Sequence, residues 1–219
     1  MGWRIVDDVL ASEAASVPEA AAPAAEVGAP VITADELAMR ALAARAQQSV
    51  FELEGAGGAR GSAFVAWTEN GRSYLLTAHR VVAGILADDG REVFVRRGNR
   101  FWSGRIFAAD RPAGLALVRV DTMTLADPLW QGLEDERLSK RDRAVVVPAG
   151  PNAAFGEGTV ANVTPERLVL PAGAEELNVG APVVAANGRL AGVVVSTTPN
   201  GVNRVAPVDL ACRKIRRCN

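Results

Sequence analysis

The sequence predicts an all-β fold of two six-stranded antiparallel β-barrels, with a short helix before the first barrel and another after the second. Two observations carry this prediction. Short apolar stretches recur between turns that contain glycine or proline, which is typical of β-barrels. A polar stretch over residues 122–143, which includes Pro128 and Gly132, divides these strands into two sets and is interpreted as the connection between the barrels.

Residues 1–32 are predicted to lie outside the fold as a disordered segment. Most of this segment is rich in alanine, proline, glutamate and glycine, and such a composition cannot bury enough apolar surface to become ordered. Residues 1–10 contain Trp3, Ile5 and Val6, which are candidates for a short docking peptide. The alternative is a frayed terminus, because chain ends are commonly poorly ordered.

The folded part is predicted to span residues 33–219. Thr33 followed by Glu36 forms a capping box, in which each side chain bonds to the backbone N–H of the other residue, so a helix is expected from here to about Gln47. The first barrel follows over about residues 48–121. Its strands are predicted at residues 49–53, 62–68, 72–78, 92–96, 101–108 and 115–120.

The second and third of these strands form the clearest motif of the chain. The dipeptide Asn70-Gly71 between them favours a tight hairpin turn, because both residues tolerate positive φ angles. The return strand ends in Thr77-Ala78-His79 and so delivers the only histidine of the chain.

The second barrel is predicted over about residues 144–208, and its last strand leads into the C-terminal helix. Its short strands are again bounded by glycine- and proline-containing turns. They are expected at residues 144–148, 156–163, 167–170, 182–185, 190–197 and 202–208.

Composition and charge argue against several classes of function. The formal net charge of −1 gives no general attraction to nucleic acid or to an anionic membrane. No apolar run reaches the roughly 18 residues that a transmembrane helix needs, so membrane insertion is not expected. The single histidine has no neighbouring cysteine or pair of acids, and neither a metal site nor a cofactor is predicted.

The two termini bear on the cellular compartment. Asp7, Asp8 and Glu13 interrupt the apolar segment that a signal peptide needs, which favours a cytoplasmic protein. An extracytoplasmic origin stays open if the N-terminus is processed or truncated. Cys212 and Cys218 do not make a disulfide framework, and the sequence leaves open whether they pair.

The hairpin resembles part of the trypsin-like serine peptidases, especially those of the bacterial HtrA type. Gly61-Ser62-Ala63-Phe64 is similar to the family's glycine-serine-glycine-phenylalanine strand, and Thr77-Ala78-His79 is similar to the segment that carries its general base. The resemblance covers about residues 33–217. It implies a trypsin-like double barrel in which His79 works with a serine nucleophile, an aspartate and an oxyanion hole.

The remaining positions of that site depart from the family. The family's aspartate precedes an apolar strand, and here Gly114 stands at that position. Val179, in the run Leu177-Asn178-Val179-Gly180-Ala181-Pro182, occupies the nucleophile position. Leu177 replaces the glycine that helps to form the oxyanion hole, and leucine disfavours positive φ angles. Because valine offers no nucleophile, these departures predict a catalytically inactive homologue, a pseudoprotease.

The preferred interpretation is a non-catalytic domain that acts as a protein-binding or assembly module in a larger complex, since fold and site are separable. Two alternatives stay open. An active serine endopeptidase with a displaced triad would need Asp110 as its acid and Ser62 or Ser196 as its nucleophile. A purely structural subunit would need no site at all.

The expected partner is a protein or peptide, bound through an acidic surface. The candidate interaction residues are the arginines and tryptophan of one hairpin together with the apolar residues of the N-terminus: Arg96, Arg97, Arg100, Trp102, Trp3, Ile5 and Val6. Nucleic acid is disfavoured because no nucleic-acid-binding motif is present. Binding at the outer surface and binding in the cleft, where a peptide would add as a strand, are both left open.

Overall fold

The computed structural model describes residues 33–55, 58–121, 124–130, 137–150, 153–173 and 176–216. The predicted disordered segment and docking peptide, residues 1–32, lie outside the described residues, as do parts of the predicted inter-barrel connection. The fold is mostly β, with a closed six-stranded barrel and a second, curled sheet. The predicted all-β fold class is confirmed.

The first helix, α1 (Ala34–Gln47), begins at the predicted capping box. The Thr33 N–H donates to Glu36 Oε2 at 2.8 Å, and the Glu36 N–H donates to Thr33 Oγ1 at 3.2 Å. The hydrogen bonds from Thr33, first through its backbone and then through its side chain, hold the pKa of Glu36 below its ordinary value. The box therefore uses two N–H groups that would otherwise have no partner at the start of the helix.

Removal of this cap should destabilise the domain. We expect Thr33→Ala to lower the free energy of unfolding by about 1 kcal/mol, because the Glu36 N–H loses its acceptor. Urea unfolding measures the difference. Thr33→Ser keeps the hydroxyl and serves as the matched control, so equal losses in the two variants would contradict the role of the cap.

The first barrel closes in the order β1-β2-β3-β6-β5-β4. Its strands are β1 (Val50–Glu54), β2 (Arg60–Glu69), β3 (Arg72–Ala78), β4 (Glu92–Arg97), β5 (Arg100–Asp110) and β6 (Leu115–Val120). Asn70 and Gly71 both have positive φ angles, 51° and 73°, as the predicted hairpin turn requires. Alternate residues of the strands fill the barrel, among them Phe51, Leu53 and Leu75.

One helix of this half was not predicted. Helix α2 (His79–Ala87) follows β3 directly and begins with the histidine. Val81, Val82 and Ile85 are buried on one side of it and pack against the core of the first barrel. The helix was not predicted because its buried residues are β-branched, and β-branched residues also favour strands.

The second half is a seven-stranded sheet in the order β8-β7-β11-β12-β13-β10-β9. Its strands are β7 (Arg143–Val146), β8 (Gly156–Thr159), β9 (Asn162–Val163), β10 (Leu168–Pro171), β11 (Pro182–Ala185), β12 (Leu190–Thr197) and β13 (Val202–Pro207). Six strands were predicted, and the additional one arises because the stretch 156–163 is two strands. The chain bends where the Val160 N–H donates to Asp142 and the Ala161 N–H donates to Val169.

This bend sends β8 to one edge of the sheet and β9 to the other. The sheet curls so far that β8 meets the end of β10. A Cβ atom on Gly156 would lie 1.6 Å from the Ala172 carbonyl oxygen, and one on Gly158 would lie 2.1 Å from the Pro171 carbonyl oxygen. Only glycine allows the two edges to approach this closely.

The chain ends its described part in α3 (Val208–Ala211), which continues into a π-helical turn over Cys212–Arg216. Cys212 takes part in a disulfide, whereas Cys218 lies outside the described residues. A shared apolar core joins α1, both sheets and α3 through residues such as Met39, Phe64 and Val193. None of the described helices is long and apolar enough to cross a membrane.

Candidate active-site region

The loop that carries Val179 is held against the start of β2. The Ser62 N–H donates to the Val179 carbonyl at 2.8 Å. A Cβ atom on Gly61 would lie 2.7 Å from the Val179 carbonyl oxygen and 2.4 Å from Val81, so only glycine fits there. The side chain of Val179 is half-buried and packs against the core of the first barrel.

His79 and Gly114 are held together by the pairing of β3 with β6. This pairing places Ala78 opposite Leu115, and the next pair is joined by a hydrogen bond of 2.8 Å from the His79 N–H to the Gly114 carbonyl. His79 is half-buried as the first residue of α2. Within the described part of the chain, its imidazole makes no hydrogen bond or ion pair.

The backbone at Gly114 is unsuited to an aspartate. Its φ angle is +74°, a conformation that is strained for residues with a side chain. A Cβ atom added there would lie 3.2 Å from both Cβ and Cγ1 of Val195. Val195 on β12 therefore crowds any side chain at this position and would have to shift by a few tenths of an ångström to admit one.

The structure brings the three positions to one region where the two halves of the fold meet. His79 is bonded to Gly114, and Gly114 faces Val195. The neighbouring Val194 carbonyl accepts from the N–H of Gly180, the residue that follows Val179, at 2.7 Å. The region thus contains one imidazole, and the other two positions are a glycine, which has no side chain, and a valine.

Leu177 lies in a 3-10 turn, Glu176–Asn178, directly before Val179. The described non-glycine residues with positive φ do not include Leu177, as expected for leucine. Its carbonyl oxygen accepts a hydrogen bond of 2.6 Å from Ser62 Oγ. The backbone at this oxyanion-hole position is therefore fixed to β2 through its carbonyl group.

Ser62 and Asp110, which a displaced triad would use, are both engaged in local structure. Ser62 is fully buried, and its hydroxyl also accepts from the Ala149 N–H at 2.7 Å. Asp110 Oδ1 accepts from the Ala113 N–H at 2.7 Å, which turns this carboxylate toward the β5–β6 connection. Ser196 is half-buried on β12, opposite Arg204 on β13.

A buried polar network supports the Val179 loop and was not predicted from the sequence. Asn203 on β13 accepts a hydrogen bond of 2.7 Å from Thr197 and donates to the carbonyls of Leu170 and Gly173. Asn178 Nδ2 donates to the same Gly173 carbonyl at 3.0 Å. The signal that could have indicated it is the asparagine at position 203 in an otherwise apolar strand, since buried polar groups require partners.

The predicted interaction residues of the β4–β5 hairpin have different environments. Arg96 pairs with the buried Glu52, and Arg97 donates to the Gln48 carbonyl at 2.5 Å. Arg100 forms no hydrogen bond or ion pair through its side chain with any described residue. Trp102 is half-buried and meets Phe51 edge-on, with their ring centroids 5.7 Å apart, so it packs inward. The predicted docking residues Trp3, Ile5 and Val6 lie outside the described residues.

Residues that could hold a metal ion do not cluster in the described ranges. No group of three or more histidine, cysteine, aspartate or glutamate side chains comes together there.

Comparison with known proteins identifies the family. Residues 61–193 match the model of the trypsin-like peptidase domain. The chain belongs to the family of trypsin-like peptidase domains, and its fold is that of the HtrA- and Deg-type serine proteases. A comparison with curated proteins finds no significant match.

The similar solved structures show this fold at low sequence identity. The chain is similar to the inactive form of the Rv3671c protease from M. tuberculosis, with a TM-score of 0.65 and 18% identity over 83% of this chain and 94% of that chain. It is similar to Deg5, with a TM-score of 0.67 and 20% identity over 83% and 93% of the two chains. It is also similar to a serine endoprotease from Yersinia pestis, with a TM-score of 0.67 and 20% identity over 86% of this chain and 67% of that chain.

Proposed function

We propose that this chain is a catalytically inactive trypsin-like domain that serves as a protein-binding or assembly module. The observation that carries the proposal is the environment of His79. The two positions that should supply its carboxylate and its nucleophile are Gly114 and Val179. A covalent acyl-enzyme needs an oxygen or sulfur nucleophile, and valine provides neither.

The loss of the acid is supported independently of the sequence match. Val195 crowds the space beside Gly114, and the backbone there has a left-handed φ angle. Without a carboxylate partner, the orientation and tautomer of His79 are not fixed for proton transfer. Two triad members are then missing, and the residual catalysis of such sites comes only from binding and the oxyanion hole.

The competing function is an active serine endopeptidase with a displaced triad, and its one favourable observation is the retained His79. Its candidate nucleophile Ser62 is buried and donates to the Leu177 carbonyl. Its candidate acid Asp110 bonds to its own turn and not to His79. These contacts favour the inactive domain, because a nucleophile must be exposed and hydrogen-bonded to its base.

The test is a covalent probe of serine nucleophiles. We expect no labelling of the full-length protein by a fluorophosphonate and no cleavage of peptide substrates, because Val179 occupies the nucleophile position. An active HtrA-type peptidase labelled in parallel provides the positive control. Val179→Ser should remain unlabelled as well, since Gly114 leaves its histidine without an acid.

The opposite result would identify a displaced triad. Mass spectrometry of a labelled peptide from the wild-type protein would show which serine reacted. Labelling at Ser196 that disappears in Ser196→Ala and in His79→Ala would establish the endopeptidase and end the proposal of an inactive domain.

A further inference from the structure

Two large apolar side chains are exposed side by side on the outer face of the first barrel. Phe94 on β4 is 63% exposed and Phe101 on β5 is 60% exposed. The register places Phe94 opposite Ser103 and Phe101 opposite Arg96, so the two rings are diagonal neighbours on the same face. We call these four residues the aromatic face. Adjacent exposed aromatic side chains on a rigid sheet are typical of interaction sites.

Positive charge surrounds the aromatic face without being fully neutralised. The Arg96 guanidinium lies 6.0 Å from the centre of the Phe101 ring and pairs with Glu52. Arg105, which lies on the same face of β5 as Phe101 and Ser103, forms no ion pair with any described residue. The face therefore offers cationic groups for a partner at both ends of its aromatic centre.

A cavity of about 560 Å³ adjoins the aromatic face between α1, β1 and the β4–β5 turn. Arg96 and Arg97 line the cavity together with Gln47, Gln48 and Glu52. Its volume is within the range of ligand-binding clefts, about 300–1,000 Å³. Two cations, Arg96 and Arg97, lie in this lining and can pair with a carboxylate side chain, and Glu52 in the same lining already pairs with Arg96.

We propose that the aromatic face and this cavity form the docking surface for a protein segment in which acidic and apolar side chains alternate. This inference rests on the proposed function, because it assumes that the domain binds a protein partner without processing it. The apolar side chains of the segment cover Phe94 and Phe101. Its carboxylates pair with Arg105 and with the arginines at the cavity. Aromatic residues and arginine are the residue types most enriched in the energetic centres of protein interfaces.

The acids near the aromatic face favour a protein over a phosphate-rich partner. Glu54 is directly opposite Phe94, and Glu92 is directly opposite Arg105. These carboxylates would repel the phosphates of nucleic acid or of an anionic membrane, whereas the protein segment can place its apolar side chains beside them. The two phenylalanines also lie within strands and not at the tip of a loop.

The test begins with an unbiased selection of peptides. A random dodecapeptide library displayed on phage is selected against the full-length protein, and the selected peptides are synthesised with a fluorescent label. We expect them to be rich in aspartate or glutamate and in apolar residues. Fluorescence anisotropy should show about tenfold weaker binding, or more, to the double variant Phe94→Ser/Phe101→Ser and to Arg105→Glu.

Two variants serve as matched controls. Phe107→Ser removes a phenylalanine of the same strand that is 53% exposed but lies outside the aromatic face, and it should leave peptide binding unchanged. Val195→Trp obstructs the region beside Gly114 and should also leave it unchanged. Circular dichroism checks that each variant is folded. This is expected for the changes to exposed side chains, and it has to be shown for Val195→Trp because Val195 is half-buried.

Several outcomes would overturn the docking surface. They are a selection that yields no peptide, peptides without an acidic bias, binding that survives Phe94→Ser/Phe101→Ser, and binding lost only in Val195→Trp. Vesicles of phosphatidylserine and phosphatidylcholine and a short DNA duplex are tested in parallel, and tighter binding to either through Phe94 and Phe101 would assign a different class of partner. Cleavage of the peptides or fluorophosphonate labelling would instead contradict the proposed inactive domain.

Discussion

Gly180→Ala is expected to lower the free energy of unfolding by about 3 kcal/mol or more. Gly180 has a φ angle of +88°, which is strained for alanine. The added Cβ atom would also lie 1.9 Å from the Ser62 carbonyl oxygen and 2.5 Å from Thr77 Oγ1. These two atoms are joined by a hydrogen bond of 2.6 Å between β2 and β3, so neither can move without breaking the barrel pairing.

Gly173→Ala provides a matched control for this prediction. Its φ angle is +85°, but a Cβ atom there has no other atom within 4 Å. Gly173→Ala should therefore lower the free energy of unfolding only by the cost of the left-handed backbone conformation, about 1–2 kcal/mol. Guanidinium unfolding of both variants measures the difference. Equal losses would show that close packing of the Val179 loop against Ser62 does not contribute.

Local sequence patterns account for much of the fold. The Asn70-Gly71 turn and the Thr33 cap depend on residues close together in the chain, and both formed as predicted. The strand at residues 182–185 was also predicted correctly, because its apolar residues and flanking turns are local signals. The approach of His79 to Gly114 follows from the family resemblance and from the β3–β6 pairing, and composition alone would not have shown it.

The features that the sequence did not predict depend on contacts between distant residues. Helix α2 has β-branched residues that suit a strand. The segment is nevertheless helical because its apolar side chains pack against the core of the first barrel. The bend at Val160 and Ala161 is set by partners on two different strands. Ser62 and Leu177 are 115 positions apart, so their hydrogen bond requires the complete fold. The aromatic face could not be predicted from the sequence either. Alternation along the two strands indicates that Phe94 and Phe101 share a face of the sheet, but it does not show that no other element covers that face.

Asn203→Ala should also destabilise the domain strongly, by about 3 kcal/mol. The Asn203 side chain is fully buried and bonds to three separate segments, at Thr197, at Leu170 and Gly173, and at Asn178. Its removal leaves the buried carbonyl of Leu170 and the hydroxyl of Thr197 without this partner, and water cannot readily replace it. The matched control is Asn162→Ala, because Asn162 is exposed and, among the described residues, its side chain bonds only to the adjacent Val163 N–H. That variant should stay within about 0.5 kcal/mol of the wild type.

The effect of Asn203→Ala should also reach the Val179 loop. Asn203 and Asn178 both donate to the Gly173 carbonyl, and Asn178 directly precedes Val179. Loss of Asn203 should therefore loosen this loop before it loosens the first barrel, because local openings follow the weakest set of contacts. Amide hydrogen exchange measures this directly. The Gly180 N–H, which bonds to the Val194 carbonyl, should exchange faster in the variant. The exchange rate of the Leu76 N–H in β3 should rise only by the amount that the loss of global stability accounts for. Equal acceleration at both sites would mean that Asn203 stabilises the domain as a whole and has no special connection to the loop.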